Sequence, residues 1–168
     1  FTLTDESLRS FNSHYKINPP LRHRQHVEAC IEGLRDGTID VIASDHAPVA
    51  SEKKIREGDL APFGIAGLET SLGLVIAKLV EPGHLTWSQA IEKMTINPAR
   101  ILGLANKGTL AIGADADVTI IDPAMKWVVD PSRWQSKSAN TPLAGWQLTG
   151  RAVATIVGGN VKWSTGAV

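Results

Sequence analysis

Between residues 23 and 36 the apolar positions Val27, Cys30, Ile31 and Leu34 recur at i, i+3, i+4 and i+7, a spacing that places them on one stripe of a helix. Gly37 follows where a left-handed residue closes such a helix. The pattern then changes. The run "IDVIAS", residues 39–44, is apolar and β-branched without alternation, which predicts a strand covered on both faces, as in a parallel sheet. Upstream, "HYKINPPLR" predicts a short strand stopped by Pro19 and Pro20, because proline keeps the preceding residue extended and has no N–H for a ladder. Strand, helix, strand is a βαβ unit, so the first expectation is an α/β fold. Thr4 ahead of Asp5 and Glu6 predicts a further helix start, with a capping hydroxyl and acids against the positive dipole end.

Residues 47–66 show no period, carry mixed charges, and form a loop longer than most connections in a domain, the kind that is usually a functional lid or disordered. Leu68, Leu72, Val75, Ile76 and Leu79 then mark a second long helix, closed by Pro82 and Gly83. Thr86 with Gln89 predicts a capping box, and Asn97-Pro98 an N-cap followed by proline in the first helical position. From Gly108 the texture becomes short β-rich runs broken by Gly, Asp and Pro, which predicts an antiparallel appendage.

Composition narrows the class. The 168 residues balance 17 Lys+Arg against 17 Asp+Glu, so there is no basic stripe for nucleic acid, and no apolar run approaches the roughly 20 residues of a spanning helix. A cytoplasmic globular protein is expected. The single cysteine, Cys30, is expected to be a buried small hydrophobe rather than a nucleophile. "FTLTDESLRSF" has neither the basic nor the apolar region of a signal peptide, lacks a starting Met and opens in mid-pattern, so the chain is expected to be a piece of something longer.

Candidate chemistry concentrates in "SDHAP", where an apolar run delivers Asp45 and His46 to a strand end. Asn18 stands at the end of the other expected strand. In β/α barrels the working residues sit at such ends, and an aspartate there can be a metal ligand, a general base, or both. The plainer alternative makes Asp45 a turn cap and His46 an ordinary half-buried imidazole. Glu52, Lys53 and Lys54 are expected in a solvated charged loop. Trp127, Trp134, Trp146 and Trp163 are expected to pack the β-rich region.

"KINPPLR", "SDHAP" and "APFGIAGLET", followed by "NPARILGL" and "KGTLAIGADADVTIID", occur in an order that resembles the dihydroorotases of the amidohydrolase superfamily. The resemblance implies the C-terminal part of a TIM-type (β/α)8 barrel over residues 1–107 and part of a small β-sandwich over 108–168. It implies reversible opening of the cyclic amide of dihydroorotate to N-carbamoyl-aspartate in pyrimidine biosynthesis, by hydroxide held between two zinc ions. Asp45 matches the aspartate that binds the more buried zinc and shuttles the proton. Asn18 matches an asparagine that contacts substrate, and Phe63 and Gly64 match a loop whose backbone meets the pyrimidine ring. His46 inherits no such role and is expected to support or pack.

Two departures stand out. Val49 occupies a place where the family commonly has a substrate-binding histidine, and the family's other metal ligands are not visible in the chain. A barrel needs about 250 residues, so the missing N-terminal part of the same polypeptide is expected to supply those ligands, and this segment alone is expected to be inactive. Two further readings fit the same motifs: a hydantoinase or allantoinase sharing the centre, or a non-catalytic partner of aspartate carbamoyltransferase.

Overall fold

In the computed structural model, which describes residues 1–166, the first apolar stripe folds as α1, Arg24–Asp36, and ends on Gly37 at φ 87°. Val27 and Leu34 are buried as expected, whereas Cys30 is exposed, because the core on this helix meets Ile31 and Leu34 instead. The other helices are α2, Ser51–Lys54; α3, Leu68–Val75, continued by a π-helical turn Ile76–Val80; α4, Trp87–Met94; and α5, Ile96–Ile101. The capping box at Thr86 and Gln89 forms at the start of α4. Two caps differ from expectation. Thr4 precedes a 3-10 turn, Asp5–Ser10, without a side-chain cap bond, and α5 is capped at Thr95, two residues before the expected Asn97, which puts Pro98 in the first turn.

Neither expected strand upstream of α3 forms. Residues 16–22 and 39–45 are irregular, and the extended chain reaches another segment through one parallel bridge, His46 to Ile65. The βαβ unit is therefore absent among the described residues. A strand is defined by its ladder, and these residues contain no neighbours to pair with "IDVIAS". Its backbone is met instead by α4 and α5: the Lys93 amine donates to the Ile39 carbonyl at 2.6 Å, the Ile42 N–H to the Lys93 carbonyl at 3.0 Å, and the Asn97 amide to the Asp40 carbonyl at 3.0 Å.

The C-terminal region is β-rich and antiparallel. Strands β1, Val118–Val128, β2, Gln147–Val157, and β3, Asn160–Ser164, form one sheet in sequence order. The β1–β2 ladder breaks between Asp122 and Lys126, where Pro123 has no N–H to give and the Asp122 carboxylate takes the N–H groups of Ala124 and Met125. A second sheet facing this one, as a sandwich requires, is not present among the described residues, and the expected region's last two positions, 167 and 168, lie outside them.

The stretch from α3 into its π turn carries apolar residues on two sides, and both are buried. Val75 and Leu79 join Leu34, Leu85 and Ala90 in one core, while Leu74 and Ala77 pack on Val129, Leu143 and Leu148 with Trp127, Trp134 and Trp146. Burying each of Val75, Ile76 and Leu79 contributes about 1.5–3 kcal/mol. The crossing with β2 is tightest at Gly150, φ 82°, where a Cβ would stand 2.3 Å from Ile76 Cδ1. Elsewhere apolar side chains such as Ile101, Leu102, Leu110 and Ile112 stand in solvent. No helix is long and apolar enough to cross a membrane among the described residues.

The charged loop is not uniformly solvated. Lys54 is wholly buried, and its amine donates to the carbonyls of Lys16, at 3.0 Å, and Pro62, at 2.9 Å, while the Ser13 hydroxyl donates to the Lys54 carbonyl. One cation thus ties three stretches of irregular chain, its solvation replaced by carbonyl oxygens. Burial, reinforced by the Lys16 charge, pushes its pKa below the ordinary 10.5. At the other end of the chain Lys107 bridges Asp115, at 2.8 Å, and Asp117, whose second oxygen accepts the Gly158 N–H. The Lys107 hydrogen bond and the Gly158 N–H hold the Asp117 carboxyl below its usual 3.8.

Both shifts are downward, so both make stability rise with pH, but in different windows. The unfolded chain binds the Lys54 proton more tightly than the folded one, so Lys54 makes stability rise as pH climbs toward 10.5. The melting difference between the protein and Lys54→Met should move in favour of the native residue over that alkaline range; thermal melts showing no drift would remove the buried cation. The advantage over Asp117→Asn should be full near neutrality and fade only as pH falls below 3.8, checked by melts through the acid range.

Candidate active site

Asn18, Asp45, Phe63 and Gly64, remote from one another in sequence, line one cavity of about 400 Å³ together with Ser44 and Thr70. Asp45 follows the 39–44 run with φ 43°, a left-handed conformation that aspartate tolerates better than most residues. Its side chain is exposed, and among the described residues nothing hydrogen-bonds to its carboxylate and no cation lies within ion-pair distance. It therefore presents free acceptor oxygens to the cavity, the state a base or a ligand needs.

His46 does not share that task. It pairs through the bridge to Ile65, and its ring nitrogen Nδ1 accepts the N–H groups of Gly67, at 3.1 Å, and Leu68, at 3.4 Å. Those N–H groups are unmade donors at the start of α3, so the imidazole is a helix cap. Nδ1 accepts, which fixes the ring proton on Nε2 in the neutral tautomer. The expectation of a supporting imidazole gains a defined partner here.

Phe63 and Gly64 are held from both sides. The Gly64 N–H donates to the Lys16 carbonyl at 3.0 Å, and the Lys16 amine lies 4.6 Å from the Phe63 ring centre while donating to the carbonyls of Gly58 and Asp59. Gly64 adopts φ 123°, and a Cβ there would stand 2.6 Å from that of Ala47, so only glycine lets this loop approach the chain leaving Asp45. Lys16 in turn leads to Asn18, which places both candidate recognition elements on one backbone register.

The residue that joins these walls was not singled out in the sequence. Asn140 is fully buried, and its amide donates to the carbonyls of Ala47, at 3.0 Å, and Gly64, at 3.1 Å. Its oxygen accepts the Val49 N–H at 3.1 Å and faces the Ser138 hydroxyl, and its own carbonyl accepts the Ala66 N–H at 3.0 Å. Val49 is thus anchored by its backbone and does not line the cavity. "SANTPL" reads as a polar turn; a buried asparagine whose partners lie more than 70 residues away leaves no periodic trace.

Asp45 by itself is not a metal centre. No group of three or more His, Cys, Asp or Glu side chains that could hold an ion exists among the described residues. One carboxylate supplies one ligand of the four that a zinc site uses.

Residues 5–162 match the model of the amidohydrolase family. The chain is 58% identical over 161 residues to a dihydroorotase of Pelotomaculum thermopropionicum, covering 96% of the chain and 38% of that relative. It is 51% identical over 166 residues to a dihydroorotase of Geobacter sp. strain M21, covering 99% and 39%. Among solved structures it superimposes on an L-hydantoinase (dihydropyrimidinase) from Arthrobacter aurescens with a TM-score of 0.90 and 32% identity, over 99% of this chain and 38% of the other. A D-hydantoinase from a Thermus species gives 0.81 and 26%, over 89% and 33%. The chain therefore spans well under half of these relatives. Matched over nearly all its length by the family model and carrying the cavity described above, it belongs to the amidohydrolase family.

Proposed function

We propose that the polypeptide of which this chain forms part is a dihydroorotase, opening the cyclic amide of dihydroorotate reversibly to N-carbamoyl-aspartate. The observation that carries this reading is the meeting of Asn18, Asp45, Phe63 and Gly64 at one cavity. The 51–58% identity to proteins named dihydroorotase supports it. In the complete protein the described helices would form the last part of a (β/α)8 barrel, with residues up to 107 in the barrel and the three-stranded sheet in a small β-sandwich.

Asp45 acts as the base on this reading. Its carboxylate takes a proton from the attacking water as the C–O bond forms, then gives that proton to the ring nitrogen as the C–N bond breaks. The carboxylate is unpaired in the cavity, and its approach to substrate is fixed by the turn at φ 43°. Asn18 orients the substrate by side-chain hydrogen bonds, and the backbone of Phe63 and Gly64 meets the ring. The residues of this chain alone do not fit a complete metal site, so we assign Asp45 as one ligand of a zinc centre whose other ligands belong to the rest of the polypeptide. Bound there, zinc supplies a Lewis acid for the scissile carbonyl and a lowered pKa for water.

A hydantoinase is the second reading, favoured by the TM-score of 0.90 to an L-hydantoinase. Backbone likeness reports the shared fold and does not choose the ring. The deciding experiment uses the full-length protein, with metal analysis and turnover of dihydroorotate and hydantoin side by side. Dihydroorotate should be opened, bound zinc should be found, and Asp45→Asn should lower kcat by about 10²–10⁴-fold. Turnover of hydantoin alone would reject the substrate, and an unimpaired Asp45→Asn variant the assigned base.

A further inference from the structure

We propose that Asn140 is a positioning residue that sets the width of the active-site mouth, an inference that rests on reading the cavity as the active site. Its amide has two N–H donors, both engaged, and one oxygen that accepts a backbone N–H. The donors meet Ala47 and Gly64, and the oxygen meets the Val49 N–H and the Ser138 hydroxyl. The orientation is unambiguous, because the reversed amide would aim its oxygen at two carbonyls and its N–H groups at an N–H.

The two donor bonds are the ones that matter to chemistry. Ala47 lies two residues past Asp45, and Gly64 is itself a wall of the cavity beside Phe63. Each bond therefore holds one side of the mouth, and both end on the same nitrogen. No β-ladder beyond the single bridge at His46 and Ile65 holds these two walls in register among the described residues. The single Ser138 hydroxyl proton lies within reach of both the Val49 carbonyl and the Asn140 oxygen, and ties this turn to residue 49.

The test is Asn140→Asp in the full-length protein, which keeps the shape and removes both donors. Kinetics are measured well below the variant's melting temperature. Because a displacement of about 1 Å costs on the order of 10²-fold in a preorganised site, kcat/KM for dihydroorotate should fall about 10–100-fold, with KM raised through Gly64 and kcat lowered through Asp45. Amide hydrogen exchange should quicken around residues 47–49 and 63–66 and stay unchanged in α4. A lower melting temperature with native kcat and KM would make Asn140 structural only and overturn the proposal, as would unchanged exchange in both segments. Exchange needs no substrate, so a full-length protein inert toward dihydroorotate would reject the function while the exchange result still decides the positioning. Should Asn140→Asp fail to fold, Ser138→Ala decides: a several-fold loss in kcat/KM supports the proposal, and native kinetics overturns it.

Discussion

Chain that runs extended without a β-ladder must still satisfy its N–H and C=O groups, and the form of the cavity follows from how this chain does so. Residues 39–42 borrow partners from Lys93 and Asn97, on α4 and α5. Residues 47–49 and 64–66 borrow them from Asn140, and the carbonyls of Lys16 and Pro62 take theirs from Lys54. Each bond contributes only about 0.5–1.5 kcal/mol net, yet leaving a buried group unmade costs about 1–3 kcal/mol. The penalty, more than the gain, keeps these segments in place.

Those anchors divide the polar side chains into two kinds. Lys54, Lys93 and Asn140 are buried and spend their hydrogen bonds on backbone carbonyls. Asp115 and Asp117 are committed to Lys107. Asp45 belongs to neither kind: it sits in a strained turn, faces the cavity and has no partner among the described residues. Structure has not consumed its charge, and among the described residues it is the only acidic side chain lining the cavity.

Elements whose stability is local were legible in the sequence. The stripe of α1 with Gly37, the capping box at Thr86 and Gln89, and the β2–β3 hairpin each depend on neighbours close in the chain. Elements whose stability is borrowed were not. "IDVIAS" has the composition of a buried strand but lacks the flanking strands that would make it one, and Cys30 sits on an apolar stripe wider than the surface available to cover it. Lys54 looked solvated because charge runs usually are, while its burial depends on carbonyls that sequence does not show. The four candidate residues were found through motif order, and their meeting at one cavity is consistent with that origin.

The same division bears on the choice between two rings. The frame made by Asn140, Lys54 and the His46 cap is directed at backbone, so it can persist unchanged whatever substrate enters. The TM-score of 0.90 to a hydantoinase at only 32% identity reports the same backbone path under many different side chains. Discrimination must then come from groups that point outward from the frame, and Asn18 and Phe63 are exposed at the mouth in that way. A site built to hydrogen-bond a substrate group rejects an analogue lacking it far more strongly than an apolar wall can. On the proposed reading Asn18, rather than the shared frame or the Phe63 ring, is where dihydroorotate and hydantoin part.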